Sequence, residues 1–262
     1  MEQKDIIRRI LEKKKQRIIL AKQQLSEEDL KLKVRDLAPA RPFLEAINKP
    51  RTISLIAEIK KQSPSKGLIR ADFNHQDIAR IYNDVQVQAV SVLTEEDYFA
   101  GNLSYINEVK CLVSVPILRK DFIIEPYQVY ESRFYGADAV LLITDLLTKE
   151  KLSELMAIAS DLGLDCLVEV HTEKELKKIL SLKVPLIGLN NRDLHTLEVD
   201  FKITEKLFPL IPRDKVVVVE SGIKRHQDVL FLKILGVNAL LVGEAFMEAP
   251  DIKQKVEELM GW

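Results

Sequence analysis

Eight short runs of branched, apolar residues recur from residue 53 onward, with longer helical patterns between them. The runs begin at Ile53, Ala89, Val115, Ala139, Cys166, Pro185, Val216 and Ala239, between 19 and 36 residues apart. One strand, one helix and two loops occupy about that length. Runs that are apolar throughout are buried on both faces, which requires parallel strands joined by right-handed crossovers. The intervening stretches carry stripes at helical spacing: Ile78, Ile81 and Tyr82; Leu152, Leu155, Met156 and Ala159; Val229, Leu232, Ile234 and Leu235. Gly136-Ala-Asp-Ala-Val-Leu-Leu and Gly236-Val-Asn-Ala-Leu-Leu-Val each read as a helix stop followed by a strand. Eight such units predict an α/β fold, a closed (β/α)8 or TIM barrel, with an open doubly wound sheet as the rival. No linker or low-complexity stretch divides the chain, so residues 1–262 read as a single domain.

The first 50 residues differ in character. They carry 13 Lys/Arg against 8 Asp/Glu. Ile6, Ile7, Ile10 and Leu11, then Ile18, Ile19 and Leu20, recur at helical spacing. This predicts an N-terminal helical extension, residues 1–50, packed on the barrel and separated from it by Pro39 and Pro42. A membrane-surface helix is the alternative, weakened by interspersed acids and the lack of an aromatic anchor. Glu2, Asp5 and Glu12 sit among the bases with no apolar run after Met1, which argues against a secretory or transit signal. Over the chain, 39 basic residues face 40 acidic ones, which gives no support to nucleic-acid binding by bulk charge. Apolar runs such as Ala139–Ile143 are far too short for a membrane span. Cys111 and Cys166 are too few for a disulfide scaffold and fit a reducing compartment. A cytoplasmic protein without nucleic-acid or membrane partners is expected; monomer and weak homodimer both stay open.

A barrel of this kind carries its chemistry at the C-terminal ends of its strands, and ionisable groups gather there. Glu58 and Lys60 stand two apart on the first strand, so both face the interior. Buried charges are costly unless paired, so such groups are either partnered or functional. The third strand ends in Arg119-Lys120, the fifth in Glu169, and the sixth in Asn190-Asn191-Arg192. The seventh ends in Glu220-Ser221-Gly222 and the eighth in Gly243-Glu244. A solvated loop residue would account for any one of these; six convergent ends make that reading weak. His75, His171, His195 and His226 lack metal-ligand spacing and read as structural or surface residues. None of the nine glycines builds a dinucleotide or nucleoside-triphosphate loop. Phosphate is instead expected at the loops after strands seven and eight, on backbone N–H groups of Gly222 and Gly243. A bulky side chain at Gly243 is expected to occupy the phosphate's place, raising KM more than it lowers kcat.

The same residues form a specific series. Glu58-Ile-Lys-Lys-Gln-Ser-Pro-Ser-Lys-Gly67 resembles the E-x-K-x-x-S-P-S-x-G segment of the indole-3-glycerol-phosphate synthase family. Leu118-Arg-Lys-Asp-Phe122, Leu167-Val-Glu169-Val, Gly188-Leu-Asn-Asn-Arg-Asp-Leu194, Glu220-Ser-Gly-Ile223 and Leu241-Val-Gly-Glu244 follow in the family's order. The resemblance spans nearly the whole chain. It implies a tryptophan-pathway carboxy-lyase acting on 1-(2-carboxyphenylamino)-1-deoxyribulose 5-phosphate. Ring closure with loss of carbon dioxide and water would give indole-3-glycerol phosphate, with no metal and no organic cofactor.

By that resemblance Lys120 is the general acid for ring closure, its proton release eased by a neighbouring Lys60. Glu169 is the acid/base carboxylate, with a pKa raised by burial, and Glu58 orients Lys60. Lys60 and Arg192 are candidates for holding the anthranilate carboxylate, and Asn190 for bonding the sugar-derived chain. Ser63, Ser221, Gly222 and Gly243 match positions near the substrate or its phosphate; Phe122 and Leu141 match apolar wall positions. Pro64 is expected to fix the Ser63–Ser65 turn in a first loop suited to act as a lid. Glu244, where some members carry serine, is expected to contribute only its backbone, because a carboxylate repels phosphate. Which lysine serves which step stays open. A phosphoribosylanthranilate isomerase is disfavoured because neither cysteine ends the first strand. A non-catalytic binder would be favoured by loss of Lys120 or Glu169, and both are present.

Overall fold

The computed structural model describes residues 6–262, so Glu2 and Asp5 of the signal argument lie outside the described residues. Three helices come first: α1 (Ile6–Gln24), α2 (Glu27–Lys33) and α3 (Phe43–Ile47). The barrel strands are β1 (Ser54–Ile59), β2 (Ala89–Leu93), β3 (Ile117–Lys120), β4 (Ala139–Ile143), β5 (Asp165–Val170), β6 (Leu186–Asn190), β7 (Val216–Glu220) and β8 (Ala239–Val242), and Gln62–Ser63 pairs with Gly67–Leu68 as a small hairpin in the first loop. One helix follows each of the first seven: α4 (His75–Asp84), α5 (Ser104–Lys110), α6 (Pro126–Phe134), α7 (Lys149–Asp161), α8 (Glu173–Leu180), α9 (Lys202–Leu207) and α10 (His226–Leu235). After β8 come α11 (Glu244–Met247) and α12 (Ile252–Met260).

All eight strands pair in parallel and close into a barrel. The ladder from Ser54↔Ala239 to Ala57↔Val242 joins the first strand to the last and excludes the open sheet. β3 starts later than Val115 because Pro116 has no N–H to give a ladder. Gly136 and Gly236 end α6 and α10 with φ of +94° and +103°, a left-handed turn that suits glycine, so the helix-stop reading holds at both. The α10 stripe is narrower than its spacing implied. Val229 and Leu232 are buried, but Ile234, about 200° around the helix from Leu232, is 85% exposed.

Strand alternation produces two apolar layers. Leu55, Ala57 and Ile59 of β1 face the outer helices, whereas Ile56 faces the interior. Phe43 and Ile47 of α3 join the interior cluster, and the Leu44 N–H donates to Asp165 at the start of β5. α3 therefore closes the N-terminal end of the barrel. Burying these two side chains stabilises that closure by about 1.5–3 kcal/mol each.

α1 lies across the opposite end. Ile7, Ile10 and Ile18 are buried on one face, but Ile19 and Leu20, expected to extend the stripe, are 58% and 57% exposed. Each residue turns the helix by about 100°, which carries these two past the buried edge. Between the buried isoleucines Lys14 is only 5% exposed, its Nζ 2.7 Å from Asp121 Oδ1. Asp121 also accepts from the Phe122 N–H, the Thr94 hydroxyl and Arg119. Burial alone would raise this carboxyl, but Lys14 and Arg119 hold it well below the usual range. Lys14→Met strands part of that charge and is expected to cost about 2–3 kcal/mol. Thermal melts should fall by about 5–10 °C; unchanged melting would show that the pair does not fasten α1. Among the described residues no helix is long and apolar enough to cross a membrane.

Candidate active site

Glu58, Lys120, Glu169 and Glu220 project inward from β1, β3, β5 and β7. One layer of side chains in such a barrel comes from alternate strands in this way. Two residues earlier on the same strands stand Ile56, Leu118, Leu167 and Val218, packed in one apolar cluster. That layer is the dry floor under the charged one. Lys120 Nζ lies 2.9 Å from Glu169 Oε2 and 2.8 Å from Glu220 Oε2. Lys60 Nζ lies 2.7 Å from Glu58 Oε1. All three carboxylates are buried, and the Lys120 side chain is 14% exposed.

Two interior glycines make room for these acids. A Cβ at Gly188 on β6 would stand 2.5 Å from Glu220 Oε1. At Gly243 it would stand 2.5 Å from Glu58 Oε1 and 2.9 Å from Glu58 Cβ. The space beside Gly243 therefore belongs to Glu58, not to a phosphate, which corrects the physical reason expected for that glycine.

The fifteen residues given a catalytic or binding role from sequence all line one cleft at this end of the barrel, whereas Arg119 and Asn191, also at strand ends, do not. It encloses about 1140 Å³, counting space open to solvent. Leu141, Phe122 and Phe99 form an apolar wall, with the two rings 6.2 Å apart, and Ile7 and Ile10 of α1 complete it. At the other side Arg192 donates to Ser65 Oγ (3.3 Å), to the Leu197 carbonyl (3.0 Å) and to Glu244 Oε2 (2.9 Å). The Glu244 side chain is thus engaged with Arg192. Ser63 and Ser65 hydroxyls lie 3.2 Å apart on the turn that holds Pro64. Asn190 Oδ1 accepts from the Arg192 N–H. Ser221 has φ of +67°, a costly conformation without glycine, and Asn191 Nδ2 donates to its carbonyl. Gly222 follows it at the cleft edge.

The model of the indole-3-glycerol phosphate synthase family matches residues 7–259. The chain belongs to that family. It is 46% identical over 256 residues to the indole-3-glycerol phosphate synthase of Desulforamulus reducens, covering 97% of each chain. To that of Dehalococcoides mccartyi strain CBDB1 it is 50% identical over 254 residues, covering 95% of each. Among solved structures, 3-hexulose-6-phosphate synthase aligns with TM-score 0.64 and 15% identity, over 80% of this chain and 99% of its own. A chain of the Pyrococcus furiosus tryptophan synthase complex aligns at 0.59 and 19%, over 80% and 98%. At such identity these two speak for the barrel alone.

From sequence, Glu220 is named at the end of the seventh strand but given no role in the site. Its signal was available: Val216, Val218 and Glu220 alternate on an apolar strand as Ile56 and Glu58 do. The wall from Ile7, Ile10 and Phe99 had no such signal, since nothing in their spacing places them above the barrel.

Electrostatics reverse two expectations. Burial pulls the Lys120 amine down, but Glu169, Glu220 and Glu58 together raise it above its ordinary value. Lys60 pairs with Glu58, and the carboxylates, not a like charge, set the direction at Lys120. Burial would raise Glu169, yet Lys120 and His171 hold it well below the usual carboxylate range. Glu220 is the raised acid: burial, with repulsion from Glu169 and Glu58, outweighs Lys120 and lifts it to about 7. Between pH 4.5 and about 7 native Glu220 keeps a proton that the unfolded chain has released, so this group lowers stability as pH rises through that window. Glu220→Gln should remove that loss, on the order of 2 kcal/mol. Melts of both proteins from pH 5 to 7.5 check it; parallel curves would refute the assignment.

Proposed function

We propose that this chain catalyses closure of the indole ring of 1-(2-carboxyphenylamino)-1-deoxyribulose 5-phosphate, releasing carbon dioxide and water. One arrangement carries the reading: an ammonium, Lys120, held between Glu169 and Glu220 at the floor of an apolar-walled cleft. The aromatic carbon bearing the carboxylate attacks the ketone carbon, and the carbonyl electron pair moves onto oxygen. Lys120 stays charged until that oxygen becomes an alkoxide, a base strong enough to take its proton. A fixed cation in a dry site stabilises this developing charge more than water would. Loss of carbon dioxide returns the bonding pair to the ring.

The hydroxyl then takes a proton from a site ammonium, Lys60 or a reprotonated Lys120, and leaves as water while a proton leaves the adjacent carbon. Glu169, kept ionised, is the base for that proton. Lys60 and Arg192 hold the substrate's anions, and Asn190 bonds the sugar-derived chain. Ser63, Pro64 and Ser65 close over the substrate from the first loop. Gly222 and Gly243 offer N–H groups to the phosphate at the loops this fold uses for it, and Phe122 and Leu141 hold the aromatic ring. A cytoplasmic role on a phosphorylated small molecule goes with this reading.

Incubating the purified chain with this substrate while following indole fluorescence tests it. Fluorescence that grows in proportion to enzyme is expected. A folded protein that produces none would overturn the proposal.

A further inference from the structure

His171, read from sequence as a structural or surface residue, is buried directly behind Glu169. Leu167, Glu169 and His171 alternate along β5 and the residue that follows it, so all three take the same side. Glu169 Oε2 faces Lys120, and Glu169 Oε1 lies 3.2 Å from His171 Nε2, an ion-pair contact without hydrogen-bond alignment. The other ring nitrogen, Nδ1, lies 3.3 Å from Glu175 Oε2. Glu175 is itself fixed by the start of α8. Its carboxylate accepts from the His171 N–H (2.9 Å) and the Thr172 hydroxyl (2.7 Å), and its own N–H donates to Thr172 Oγ1 (3.2 Å). A helix cap needs only Thr172 and Glu175. An imidazole buried between two carboxylates is not explained by capping, and it does not line the cleft.

We propose that His171, braced by Glu175, is a positioning residue that holds Glu169 Oε1 so that Oε2 faces Lys120 and the cleft. The inference deepens the proposed function and rests on Glu169 serving as its base. The charged groups around the ring are Glu169 of β5 and Glu175 of α8, with Lys120 of β3 and Glu220 of β7 beyond Glu169. Burial pulls the imidazole pKa down, and the two carboxylates more than reverse this, raising it to about 10. An imidazolium there keeps Glu169 ionised as well as oriented.

His171→Leu removes both effects without touching the cleft; His171→Gln keeps a donor but not the charge. For His171→Leu, kcat should fall about ten- to a hundredfold with KM nearly constant. The acid limb of its kcat–pH profile should move up by about one unit. His171→Gln should lie between it and the wild type. A folded His171→Leu variant with unchanged kcat and limb, or with a change in KM alone, overturns the proposal. Nitrogen chemical shifts of the His171 ring in the ligand-free wild type give a readout that needs no turnover. They should report a doubly protonated ring through pH 8, lost to lower pH in Glu169→Gln. A ring titrating near 6.5 in the wild type overturns the proposal even if turnover is normal, whereas a charged ring in a protein without turnover would fault only the functional reading.

Discussion

Replacing Lys120 with methionine lowers kcat by about three orders of magnitude and leaves the barrel folded. Methionine keeps much of the side-chain volume, so the apolar layer formed by Ile56, Leu118, Leu167 and Val218 beneath it stays packed. What is lost is, among the described residues, the one cation within 3 Å of both Glu169 and Glu220. Without it the forming alkoxide meets two carboxyl groups and no ammonium. Stability also shifts with a definite sign. Both carboxyl pKa values rise when the lysine is gone, so the variant's deficit against the wild type is larger at pH 8 than at pH 6. Steady-state kinetics with circular dichroism, and melts at the two pH values, check both halves. Wild-type turnover from a folded Lys120→Met protein would remove Lys120 from the chemistry.

Gly243→Val is expected to lower kcat by about a hundredfold, with KM rising beside it. The first added carbon would stand 2.9 Å from Glu58 Cβ, and a Cβ cannot retreat without moving its strand. Glu58 carries Lys60 on its Oε1 at 2.7 Å, so displacing one displaces the other. A double-mutant cycle isolates this contact. Glu58→Gly, which removes that Cβ as well as the carboxylate, should itself be slow, and adding Gly243→Val to it should cost much less than adding it to the wild type. Fully additive losses, or a rise in KM with kcat intact, would show that the added side chain meets the phosphate and not Glu58.

Lys120 and Gly243 both stand out in the amino-acid sequence, yet their partners do not. The spacing of eight apolar runs predicted the parallel barrel, because burial on both faces leaves few other ways to connect such strands. Alternation placed Glu58 and Lys60 inside, and the order of motifs from Glu58 to Glu244 pointed to the family. The rest depended on closure. Lys120, Glu169 and Glu220 lie 49 or more residues apart along the chain, and only the ring of strands brings both carboxylates within 3 Å of the lysine.

Direction of charge was the least legible property. Burial of Glu169 was visible in its strand and argued for a raised pKa, but the outcome is set by Lys120 and His171, which oppose burial and win. The space beside Gly243 reads from sequence as the phosphate's and is Glu58's, because the side chain it accommodates comes from the first strand and meets it only where β1 pairs with β8. Alternation and hydrophobic spacing are local properties, so the sequence by itself determined which residues face inward and at which end. Distance, pairing and protonation depend on groups from several strands at once, so those only the closed barrel decided.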